Sequence, residues 1–79
     1  MRIINVIEIL EGSITQILSF PIFEDQLSDE VVEQAEKTFS DIVKEHREDF
    51  NDEDIETLIE DGSYHDDNGY SVQIVWSNI

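Results

Sequence analysis

The chain contains no cysteine, so disulfide staples and thiolate metal sites are excluded and packing alone must hold the fold. That is compatible with a cytoplasmic protein. Cations are nearly as scarce. Four Lys and Arg stand against 20 Asp and Glu, a formal charge of −16, which makes direct binding to nucleic acid or to an anionic membrane surface electrostatically unfavourable. No apolar run approaches the length of a membrane span. The opening MRIINVIEILEG is interrupted by Glu8 and Glu11 and lacks a small-residue cleavage pattern, so it reads as a strand rather than a secretory leader.

Motifs that carry chemistry are missing too. There is no glycine-rich phosphate loop, no HExxH pair and no serine-centred nucleophile pattern. Carboxylate pairs for acid–base work can be drawn anywhere in so acidic a chain, but nothing in the sequence would raise one pKa selectively. No catalytic residue, no metal and no cofactor is expected. The turn Asp66-Asp67-Asn68-Gly69 offers oxygen ligands, yet it lacks the spacing and terminal glutamate of an EF-hand loop. His46 and His65 read as a helix-end and a strand or turn residue.

What is present is periodicity. The stretch Leu27 to His46 places Val31, Val32, Ala35, Phe39, Ile42 and Val43 at three- and four-residue spacing, one apolar stripe on a long helix. Ser28 is predicted as its N-cap, with Leu27 and Val32 as a hydrophobic staple. The helix should fray through Arg47, Glu48 and Asp49. Asn51 is predicted to cap a second, short helix, with Phe50 and Ile55 as its staple and Gly62 as its stop.

The flanks read as strands. Residues 2–10 and Ser13 to Phe20 form a hairpin around Glu11-Gly12, but alternation fails at Ile3-Ile4 and Ile17-Leu18. Such doubling predicts a strand covered on both sides, or a bulge. Pro21 marks an exit from the second strand, and Phe23 is expected to fold over one end of the core. Ser63 to His65 starts a third strand, and the last run alternates Tyr70, Val72, Ile74 and Trp76 with Ser71, Gln73, Val75 and Ser77, a half-buried strand whose Tyr70 and Trp76 should be core. Ile79 is expected to add a terminal contact. The prediction is a single α+β domain over residues 1–79, element order ββααββ, with both helices on one face of a four-stranded, mostly antiparallel sheet.

Function is read from charge. A folded surface of about 4,900 Å² spreads the carboxylates at about one per 250 Å², against about one charge per 110 Å² on a DNA duplex. Segregation onto half the surface would approach the duplex value. The expected binding surface consists of Glu33, Glu36, Asp41, Glu45, Asp49, Asp52, Asp54, Glu56 and Glu60, and the partner is a basic protein, such as one that binds nucleic acid. Tyr64 and Phe50 are candidate aromatic anchors. The competing reading is a structural domain whose charge serves solubility, or a homodimer formed through an exposed strand edge.

The element layout and the ending Asp66-Asp67-Asn68-Gly69-Tyr70-Ser71-Val72 are similar to small acidic proteins of bacteria and their mobile elements. In size and acidity the chain also resembles nucleic-acid-mimicking inhibitors. That second likeness is compositional, implies a basic partner, and transfers no individual residue.

Overall fold

The computed structural model describes residues 2–78. Strands β1 (Arg2–Leu10) and β2 (Ser13–Ile22) are followed by helices α1 (Ser28–His46) and α2 (Asp52–Asp61), then strands β3 (Ser63–His65) and β4 (Tyr70–Asn78). The sheet order is β2-β1-β4-β3, and every pairing is antiparallel. The expected ββααββ α+β architecture is the one observed. Among the described residues no helix is long and apolar enough to cross a membrane.

Both helices cover the same face of the sheet. Ile4 and Val6 of β1, Ile22 of β2, Tyr64 of β3 and Tyr70 and Val72 of β4 meet Val31, Ala35, Phe39 and Val43 of α1 and Ile55 of α2 in one buried cluster. Phe39, Val43 and Val72 are fully enclosed. Thus the α1 stripe read from its spacing is the one that packs.

The turns explain why the strands meet. Glu11 (φ 51°) and Gly12 (φ 81°) are both left-handed, the pair of conformations that a tight two-residue hairpin demands. β2 carries its extra residue at Thr15, where the register shifts between Glu8 and Ile9. Thr15 Oγ1 donates to the Glu8 carboxylate at 2.8 Å. A bulge is therefore present, but not at the positions where alternation fails: Ile3-Ile4 and Ile17-Leu18 pair in regular register.

α2 begins as expected: Asn51 Oδ1 accepts from the Asp54 amide at 2.9 Å, and Asp54 Oδ2 accepts from the Asn51 amide at 3.2 Å. It ends at Gly62, whose φ of 77° is left-handed. α1 differs from expectation. Ser28 is its first helical residue, and Leu27 occupies the cap position with no side-chain hydrogen bond. At 70% exposure Leu27 also makes no staple.

Three further expectations are corrected. β2 runs through Pro21 to Ile22, which is tolerable because β2 is an edge strand, where a missing ladder donor need cost nothing. Phe23 is half exposed, and Ile22 fills the core instead. Trp76 lies on the helix-facing side of β4, opposite Ile4, but is 49% exposed because the helical layer leaves a cleft over that end of the sheet. The expected contact of Ile79 lies outside the described residues.

Candidate functional site

Charge and secondary structure are segregated. Of the 20 carboxylates only Glu8 belongs to a strand, which leaves nineteen on helices, turns and connections. The molecule is a thin plate with principal extents of 40 × 28 × 17 Å. One broad side is helical and acidic. Twelve of the carboxylates belong to α1 and α2, and twelve charges on half of the 5390 Å² surface correspond to about one per 220 Å², about half the duplex density of about one per 110 Å².

The nine carboxylates expected to form one binding surface divide into two groups. Asp41, Asp49, Asp52 and Asp54 are engaged within the chain. Lys37 Nζ lies 4.0 Å from Asp41 and Lys44 Nζ 3.2 Å from Asp52, both exposed pairs of little energetic weight. Arg47 grips Asp49 through two hydrogen bonds, at 2.9 and 2.8 Å, and holds its carboxyl below the usual carboxylate range. Asp54 closes the α2 cap. Glu33, Glu36, Glu45, Glu56 and Glu60 have no such partner among the described residues.

Glu36 and Glu60 are brought together from different helices. They line a cleft of about 220 Å³ whose walls include Ile4, Val32, Ile59, Ile74 and Trp76. Apolar walls bordered by two carboxylates suit a side chain with an aliphatic stem and a cationic head. The volume is below the ~300–1,000 Å³ typical of small-molecule pockets, so the cleft fits one side chain rather than a substrate. Trp76 already receives a guanidinium: Arg2 lies 5.6 Å from its ring centroid, within cation–π range. Glu45 lies elsewhere, beside Glu8, Ile42, His46 and Tyr70.

The two candidate aromatic anchors have structural work. Tyr64 is 4% exposed, its ring edge-on to half-buried Phe50 at 5.7 Å, and its hydroxyl accepts from Arg47 Nη1 at 3.3 Å. Arg47 also covers the Phe50 ring at 4.3 Å. Stretch 47–49, expected to fray, is thereby tied down through Arg47. Trp76 is the aromatic that lines the cleft, and the signal for its exposure was weak: it is the last apolar residue of its strand, where cover is most easily lost.

His46, Glu8, Tyr70 and Asp66 form a connected cluster. His46 stacks on Tyr70 and lies 2.7 Å from Asp66 through Nε2. Tyr70 donates its hydroxyl to Glu8 at 2.6 Å. Burial, reinforced by the Glu8 carboxylate, pushes the Tyr70 phenol upward, so it remains a hydrogen-bond donor and not a base. Asp66 Oδ1 accepts from the amides of Asn68 and Tyr70 at 2.8 and 3.1 Å. Both of its oxygens thus serve the turn and the histidine. Among the described residues no group of three or more His, Asp or Glu side chains is arranged to hold a metal ion.

No protein-family model matches this chain, and neither a curated protein nor a solved structure does.

Proposed function

We propose that this is a non-enzymatic interaction domain whose helical side binds a basic protein surface, with one Lys or Arg of the partner entering the cleft between α1 and α2. The carrying observation is the joint placement of Glu36 and Glu60 on an apolar cleft that Trp76 borders. A long basic side chain gains there twice, from burial of its stem and from two carboxylates at its head. The surrounding glutamates steer a positively charged partner over a longer range.

The partner class best suited is a protein that binds nucleic acid. Its phosphate site already accepts clustered negative charge, and a rigid carboxylate surface competes for that site. The domain then acts as a mimic of nucleic acid, not as a ligand of it.

Capture from lysate at low and high ionic strength tests this, using the wild-type chain, Glu36→Gln/Glu60→Gln, and Glu33→Gln/Glu56→Gln as a charge-matched comparison on the same two helices. A basic partner should be captured at low salt, be released by salt and by competing duplex DNA, and be lost chiefly in Glu36→Gln/Glu60→Gln. Capture indifferent to salt, or equally weakened by Glu33→Gln/Glu56→Gln, contradicts the reading.

A further inference from the structure

Among the described residues, the side of the sheet away from the helices carries no Asp, Glu, Lys or Arg. Pairing registers assign to it Ile3, Asn5, Ile7 and Ile9 of β1, Ile14, Ile17, Ser19 and Pro21 of β2, and the odd-numbered residues of β3 and β4. In a chain that is 30% charged, that is a strong segregation. A solvated antiparallel face ordinarily alternates toward polar residues. Here Ile14 and Ile17 are 58% and 52% exposed and Val75 is 38% exposed. A short polar row crosses the face: Ser19 donates to Asn5 at 2.8 Å, and Asn5 donates to Ser77 at 2.9 Å.

The sequence pattern and the shape of the molecule both bear on this face. The broken alternation at Ile3-Ile4 and Ile17-Leu18 is the pattern of strands buried on both sides, yet only one side is buried. The accessible surface of 5390 Å² exceeds the ~4,900 Å² expected of a compact monomer of this mass by about 500 Å². The flattened shape, 40 × 28 × 17 Å, accounts for the excess, and the face itself, nine residues at about 3.3 Å by three strands at about 4.8 Å, spans about 430 Å² before side-chain relief.

We infer that the uncovered sheet face, centred on Ile3, Ile7, Ile9, Ile14, Ile17 and Val75, is a homodimer interface that packs on the same face of a second copy. A basic partner finds no carboxylate there. A second copy presents the same flat, apolar, uncharged surface, and a two-fold axis matches it to itself. Sheets packed about 10 Å apart put both helical layers on the outside. Their charges are then separated by the two sheets, well beyond the ~8 Å screening length at physiological salt. The two faces together span about 860 Å² before side-chain relief, close to the ~1,000 Å² at the lower bound for a specific interface. This inference is independent of the basic partner, and the helical side stays open in the dimer.

Sedimentation equilibrium of the purified chain from micromolar to millimolar concentration, at about 50 mM and about 500 mM NaCl, tests it, since salt screens the residual repulsion between two −16 chains. The expected result is a monomer–dimer equilibrium that tightens as salt rises, opposite in sign to the binding of a basic partner. Ile17→Lys and Val75→Lys, both at exposed positions and checked for folding by circular dichroism, should each raise the dimer dissociation constant at least about tenfold, because each buries an unpaired charge. Val75 is on β4, remote from the β2 edge, so a dimer that survives Val75→Lys is paired edge to edge and overturns the inference. A chain that stays monomeric at both salt concentrations overturns it as well.

Discussion

The imidazole of His46 lies flat on the ring of Tyr70, with centroids 3.9 Å apart and planes inclined by 13°. This contact ties the last turn of α1 to the first residue of β4. From it run two polar connections, His46 to Asp66 and Tyr70 to Glu8, the second reaching the β1–β2 hairpin through Thr15. Four elements are thus joined at one end of the plate. The arrangement resembles an acid–base cluster in composition, and each of its four side chains has a polar partner within it.

Tyr70→Phe keeps the stack and removes the hydroxyl donor from Glu8. The cost should be about 1 kcal/mol, the value of one hydrogen bond to a partly solvated acceptor, read as a lower urea midpoint. His46→Ala, which removes the ring itself, should cost more than Tyr70→Phe. Equal midpoints for the two variants would show that the stack contributes nothing.

Asp66 gives the cluster a pH dependence. Its carboxyl is held below the ordinary value of 3.8, chiefly by the hydrogen bond from His46, with the Asn68 and Tyr70 amides adding to it. The unfolded chain therefore takes up this proton more readily than the folded one. The stability contributed by Asp66 is complete above pH 3.8 and is lost as pH falls through the lower folded value. Acid also relieves repulsion among the other carboxylates, so the informative quantity is the difference between wild type and Asp66→Asn. That difference should be constant near neutrality and shrink below about pH 4. Denaturant midpoints for both chains across pH 2 to 7, on the order of one point per unit, would measure it.

Glu11 adopts a φ of 51°, a left-handed conformation that costs most residues with a Cβ about 1–2 kcal/mol and asparagine less. Glu11→Asn is accordingly expected to stabilise the hairpin by about 1 kcal/mol and to remove one negative charge. A thermal melt showing no increase would mean that the Glu11 side chain makes a compensating contact.

Elements with local causes were legible in the sequence. The α1 stripe depends on spacing alone, and α2 is bounded by Asn51 and Gly62, each acting through its own backbone neighbourhood. The strand order was not legible, because β1 pairs with β4 across the whole chain and nothing local specifies that partner. Trp76 obeys the alternation that placed it on the helical side, but whether a helix covers it depends on where α1 and α2 part. Ser28 had the right chemistry for a cap and was displaced by one residue, so that Leu27 holds the position.

The candidate surface was legible as composition and not as geometry. Glu36 and Glu60 are 24 residues apart in sequence and share a cleft only because α2 folds back beside α1. Asp41, Asp49, Asp52 and Asp54 looked equivalent to them, but nearby cations and the α2 cap engage these four. The doubled isoleucines carried a further signal, of strands apolar on both sides, whose meaning became specific once the helices were seen to cover one side alone.

The most direct test of the account uses the chain's single tryptophan. Trp76 fluorescence should be followed while an arginine-rich peptide is titrated into wild type and into Glu36→Gln/Glu60→Gln at low salt. A saturable change in the wild type, with loss of acrylamide access to the indole, together with its absence from the double variant, is the predicted result. A peptide that binds while Trp76 fluorescence and access stay unchanged would contradict the assignment of the cleft.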